Sequence, residues 1–143
     1  MPITRDPARI KELVAANLPK DVPGGVLAEL QRLTERLGDQ ADFMLVSSRF
    51  VGVDGKPLPF EMIIIKGLAW YEFEIPRAGP ARFAFVDLGH VADTWLEIRE
   101  QGDAEFRMYL VSQRQWQSRA GGEGAADVVA LAEHVMTVLG RAP

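Results

Sequence analysis

The apolar positions of this chain change period twice. From Ile10 to Leu37 they recur every three or four residues. From Phe43 to Ser112 they recur every second residue, and from Ala125 to Leu139 they return to helical spacing. The first region divides in two. Ile10, Leu13, Val14 and Leu18 form one stripe, opened by Asp6-Pro7, an N-cap acid before a proline at the first helical position, and ended by Leu18-Pro19. Val26, Leu27, Leu30, Leu33 and Leu37 form the second, with Gln31, Arg32, Glu35 and Arg36 off it and Gly38 as a C-terminal cap. Both predicted helices are short and amphipathic, so each needs a packing partner to persist.

The middle region predicts strands. Phe43 to Val51 is followed by Gly52-Val-Asp-Gly-Lys-Pro57, whose Asp-Gly is a tight-turn signal. Next comes the central run Glu61 to Ile75. Ile63, Ile65, Ala69, Tyr71, Phe73 and Ile75 share one parity. Met62, Ile64, Lys66, Leu68, Trp70, Glu72 and Glu74 share the other, which turns acidic after Trp70. Read as one element, the run is the spine of a curled sheet, and Gly67 marks a bend, a bulge or a break between two strands. Pro76–Pro80 is a turn, Arg82–Leu88 a strand, and the segments around Leu96 and Phe106 a hairpin across Gln101-Gly-Asp103. Leu88, Val91, Ala92, Trp95 and Leu96 also fit a helical stripe; a strand starting near Thr94 pairs better with the next segment. Gln113–Gly124 is polar and reads as a loop. Val128, Leu131, Ala132, Val135, Val138 and Leu139 stripe the final helix.

The chain therefore reads as one α+β domain over residues 1–143. A helical segment at 5–38 precedes an antiparallel sheet at 42–112, and a capping helix at 125–139 follows. Hydrophobic residues at 48% supply a core without metal or disulfide, and the absence of cysteine excludes thiol chemistry and cysteine-ligated zinc. A net charge of −4 argues against a dedicated nucleic-acid binder and against charge-driven lipid binding. No apolar run reaches the roughly 20 residues of a membrane span, and no signal peptide opens the chain, so the cytoplasm is the expected location.

Candidate chemistry is sparse. His90, between Asp87 and Asp93, is the best centre for an enzyme, a hydrolase-like one, because a carboxylate can orient an imidazole. The plainer reading is a turn, and His134, off its helix stripe, reads as a surface residue. Glu72 and Glu74 share a strand face; paired carboxylates can run a hydrolysis, but alternating acids more often form the wet side of a sheet. No catalytic, metal or cofactor residue is assigned. Arg49, Lys56 and Lys66 are expected to gather at one end of the first hairpin, where they would hold a phosphate or an acidic peptide. Trp70 and Trp95 fall on the less buried parity of their strands, which suits a protein interface.

The order of elements resembles the bacterial pleckstrin-homology-like domains, including the small YokE-like group. The resemblance lies in Met44–Val51, in Met62–Tyr71, in Phe83-Ala-Phe-Val-Asp-Leu-Gly-His-Val91 and in the closing helix, about two-thirds of the chain. Ile65-Lys66-Gly67 stands where that group has a threonine-containing turn. The resemblance implies a half-barrel and a binding or assembly role with no catalytic residues to transfer. A second resemblance, to type III secretion chaperones, requires a helix at 88–100; a toxin-immunity role is a third reading. The expected function is a non-enzymatic adaptor acting through contacts with a protein partner of unknown identity, with homo-oligomerisation allowed.

Overall fold

The computed structural model describes residues 10–37, 41–48, 50–51, 55–56 and 58–140. Two helices come first, α1 (Ile10–Asn17) and α2 (Gly24–Leu37). Four strands follow: β1 (Phe43–Ser47), β2 (Phe60–Lys66), β3 (Ala69–Ile75) and β4 (Arg82–Asp87). A three-residue 3-10 turn, Leu88–His90, leads into β5 (Val91–Ile98), β6 (Ala104–Leu110) and β7 (Gln115–Ala120), and α3 (Glu123–Val138) closes the fold. The strands form two antiparallel sheets, ordered β1-β2-β3-β4 and β5-β6-β7. The sheets are not closed into a barrel; among the described residues, Val51, beyond β1, forms an isolated bridge with Arg119 of β7. The Asp6-Pro7 helix start, the Gly38 cap and Asp54 of the predicted turn lie outside the described residues.

The central run is a hairpin, not one spine. Lys66 pairs with Ala69 and Ile65 with Trp70, leaving Gly67-Leu68 as a two-residue turn. Gly67 has φ +57, and Leu68 is not among the residues with positive φ. That pattern suits a type II′ turn, which requires a glycine-like conformation at its first central position and matches the twist of the strands. The Gly67 amide also donates to the Asp42 carboxylate at 2.6 Å. A two-residue turn reverses parity: odd residues of β2 share a face with even residues of β3. The face predicted to be apolar throughout is therefore divided between the two sides of the sheet.

Both sides are buried, each by a different layer. Met44, Val46, Phe60, Met62, Ile64 and Phe73 pack against Leu13, Val14, Leu30 and Leu33 of the helical pair. Leu45, Ile63, Ile65, Trp70 and Val86, on the other side, join Phe106 and Met108 of the second sheet and Val128, Leu131 and Val135 of α3. Each such aliphatic side chain contributes roughly 1.5–3 kcal/mol when fully buried. Trp70 is 0% exposed, edge-on to Trp116 with ring centroids 6.4 Å apart. Its truncation to alanine would cost about 3–5 kcal/mol.

Two further expectations are corrected. Residues 115–120 are a strand rather than part of a loop. Trp116, Ser118 and Ala120 pair with Met108, Phe106 and Ala104, so small residues at the inward positions admit the close approach of α3. His134 is not a surface residue: it is half-buried, stacks on Phe43 at 5.0 Å, and burial holds its pKa below the ordinary value despite Asp42. The segment 91–98 is a strand, as favoured over a helix, with a bulge between Val91 and Asp93.

Candidate functional site

Two recesses lie where the sheets splay apart on the β4 side, and Arg114 and Trp116 line both. The larger, about 600 Å³, runs along β4 from Phe83 to Asp87; its far wall is Leu110–Ser112 with Arg114 and Trp116. Strand β4 is the last strand of its sheet, so one row of its backbone groups has no strand partner among the described residues. Its outward side chains Phe83 and Phe85 are 51% and 53% exposed. Phe85 rests on Tyr71 across the strand pair, ring centroids 5.4 Å apart. The helical pair covers β1, β2 and Phe73; Phe83 borders a recess shared with Val26, Glu29 and Leu33 of α2, and both rings stay half-exposed.

The smaller recess, about 220 Å³, is lined by Glu61, Glu72 and Glu74 from β2 and β3, Arg82 from β4, and residues 114–117 from the second sheet. Cross-strand register puts Glu61 opposite Glu74, with Glu72 two positions along. This is the acidic half of the side whose other half holds Trp70. Glu61 and Glu72 are only 5% and 4% exposed. Burial, the Glu72 charge and the Glu74 charge push Glu61 well above the carboxylate range. Burial and the Glu74 charge push Glu72 up to about 8, against hydrogen bonds with Glu61 and Trp116 and the charge of Arg82. Trp116 Nε1–H donates to Glu72 Oε1 at 3.3 Å, tying the two sheets together. Arg82 reaches Glu74 at 4.0 Å, at the exposed rim. A carboxyl that keeps its proton near neutral pH can act as a hydrogen-bond donor or general acid, yet no histidine or serine lines this recess among the described residues.

The predicted site residues that are described do not converge. Lys56 and Lys66 are both exposed, but the whole of β2 separates them, a span of about 20 Å at roughly 3.3 Å per residue. Arg49 lies outside the described residues. Trp70 is sealed in the core, because the parity reversal at Gly67 turns it toward the second sheet and away from any partner. Trp95 is 54% exposed, on the outer face of β5 opposite Arg107. His90 is exposed at the end of the β4 groove, its Nε2 3.6 Å from Asp87 Oδ2; Asp93 instead accepts from the Thr94 amide. Phe83 and Phe85 were legible only as an alternating pair. What marks them is that β4 ends its sheet, which pattern alone does not show.

Among the described residues no group of histidine and acidic side chains is arranged to hold a metal ion, and no helix is long and apolar enough to cross a membrane. Comparison with protein-family models, with curated proteins and with solved structures found no match.

Proposed function

We propose that this protein is a non-enzymatic binding module that takes an extended segment of a partner protein along β4. The observation that carries the reading is the groove itself. It follows five consecutive residues of a terminal strand, 83–87, and is walled on the far side by the β6–β7 turn. That shape fits a single strand of about five residues, roughly 17 Å long, better than a broad surface. Backbone pairing would supply affinity, and the Phe83 and Phe85 rings would select apolar side chains at alternate positions. A four-plus-three strand arrangement with a closing helix supports the pleckstrin-homology-like reading of the fold. A 3-10 turn of three residues stands where the secretion-chaperone reading needs a helix. We place the module's action in the cytoplasm.

The test is selection of displayed linear peptides against the full chain, followed by backbone amide mapping. Binders should shift the amides of 83–87 and 111–114, and Phe85→Ser should weaken them about tenfold or more without altering the fold. Binders that map to the Trp95 face, or a selection that yields none, would sink the reading. His90→Ala provides the contrast with an enzyme: loss of any hydrolytic turnover in a folded variant would assign the groove end to catalysis instead.

A further inference from the structure

We propose that a segment lying along β4 also pairs with the free edge of β7, so that one inserted strand spans the gap between the two sheets and joins them. This inference rests on the binding reading above. It adds to that reading a second row of backbone contacts, from the opposite sheet.

Alternation decides which backbone groups are free. In an antiparallel pair only every second residue turns its N–H and C=O to the neighbouring strand. Leu88 N–H donates to the Leu68 carbonyl at 2.8 Å, in line with the β3–β4 register, so Arg82, Ala84 and Val86 bond to β3. Phe83, Phe85 and Asp87 turn their backbone groups outward. On β7, Leu110 N–H donates to the Arg114 carbonyl at 2.9 Å, in line with Met108 opposite Trp116. Trp116, Ser118 and Ala120 therefore bond to β6, and Gln115, Gln117 and Arg119 face outward. Val51 agrees with this parity, since its N–H donates to the Arg119 carbonyl at 2.8 Å. The far end of the β7 edge thus already accepts a piece of the chain's own backbone, antiparallel to it. At Gln115 and Gln117 no strand takes that place among the described residues.

Both open rows border connected space. The larger recess follows Phe83–Asp87 and reaches Arg114 and Trp116; the smaller has Arg82 on one wall and Gln115–Gln117 on the other. Trp116 crosses between the sheets there, bonded to Glu72 and edge-on to Trp70. Sheets packed through side chains stand about 10 Å apart, and a strand paired on both sides needs about 9.5 Å between its neighbours. The gap therefore matches the width of one strand. An extended segment is the chemistry that satisfies both rows at once, because each offers it N–H and C=O groups at alternate residues.

The experiment is hydrogen exchange of single amides in the full chain, alone and with the peptide acetyl-Thr-Val-Thr-Val-Thr-Val-Thr-amide at millimolar concentration. In the free chain the amides of Phe83, Phe85, Gln115 and Gln117 should exchange about tenfold or more faster than those of Ala84, Val86, Trp116 and Ser118. The peptide should slow all four of the fast amides. Protection of Phe83 and Phe85 without Gln115 and Gln117 overturns this inference and leaves the binding reading standing. Protection of none of the four removes both. Slow exchange of Gln115 and Gln117 in the free chain also overturns the inference, because that edge is then already covered. Gln117→Pro deletes an outward N–H at a position where an edge strand tolerates proline, and should weaken the peptide about tenfold with the Trp116 and Ser118 amides still protected. Unchanged affinity in that variant counts against the second row; if the variant does not fold, exchange in the unmodified chain decides.

Discussion

Each sheet of this molecule buries glutamate, and the two sites solve the problem in opposite ways. Glu105 of β6 is 2% exposed, with Arg99 Nη2 donating to Oε1 at 2.6 Å and Arg107 Nε donating to Oε2 at 2.6 Å. Burial pushes its carboxyl up, but the hydrogen bonds from Arg107 and Arg99 outweigh that, and the net displacement is downward. Glu61 and Glu72 are as deeply set, yet their neighbours are each other, Glu74 and an indole N–H, and both are displaced upward. Burial alone does not decide the charge state of a carboxyl; the nearest donor does. The outer face of the second sheet provides guanidinium groups from Arg107 of β6 and from Arg99 just past the end of β5. The cleft between the sheets provides almost none.

The largest test of this contrast is the pH dependence of stability. A carboxyl whose folded pKa lies above its unfolded value contributes stability that is complete below the unfolded pKa and lost as pH rises through the folded one. Glu72 sets that window from about 4.5 to about 8. Glu105 works the other way: its contribution is present above its unfolded pKa and lost as pH falls through the folded one. Urea denaturation should therefore show stability declining by a few kcal/mol between about pH 5 and 8, with a second decline at strongly acid pH. A flat profile across neutrality would remove the distinction between the sites.

Stripping the cations from Glu105 comes next. The Arg99→Ala/Arg107→Ala double variant removes both charged donors from Glu105 and should destabilise the fold at pH 7, with the Glu105 carbon titrating upward from its lowered position. Smaller, and of opposite sign, is the Glu61→Leu/Glu72→Leu variant. Above about pH 8, where Glu72 ionises, it replaces a buried charge and its carboxyl neighbour with apolar volume and should gain about 1–2 kcal/mol, read by the same denaturation. A loss at that pH would mean the pair is held by a compensating charge, and the contrast would fail.

Much of the architecture could be read from periodicity. Leu30 and Leu33 mark the buried stripe of α2, Val128, Leu131 and Val135 that of α3, and Phe106 and Met108 the inward side of β6. Trp70 shows why the rest could not. Counting alternate residues through Gly67 assumes one strand, and a two-residue turn inverts every position beyond it, moving Trp70 inward and Glu72 and Glu74 with it. β7 escaped notice for a different reason: its inward residues beyond Trp116 are Ser118 and Ala120, too small or polar to register as an apolar alternation. The acidic cleft needed both corrections, because one wall is β3 after the turn and the other is β7. Each acid was visible by itself, whereas their convergence depends on long-range pairing.

The smallest test isolates burial from pairing. Arg99 also reaches Glu97, Nε to Oε1 at 3.1 Å, on the same outer face, but the Glu97 side chain is 44% exposed. Water already solvates that carboxylate, so the ion pair adds little beyond it. Glu97→Gln should change stability by less than about 0.5 kcal/mol in a thermal or urea melt, and the change should shrink further in high salt. Glu105→Gln keeps the shape but weakens both arginine bonds, and should cost several times more at the same pH. Equal costs for the two substitutions would mean that the arginine geometry, rather than the exclusion of water around Glu105, sets the difference between the two sheets. The cleft carboxyls would then have to be explained by their lack of forks alone.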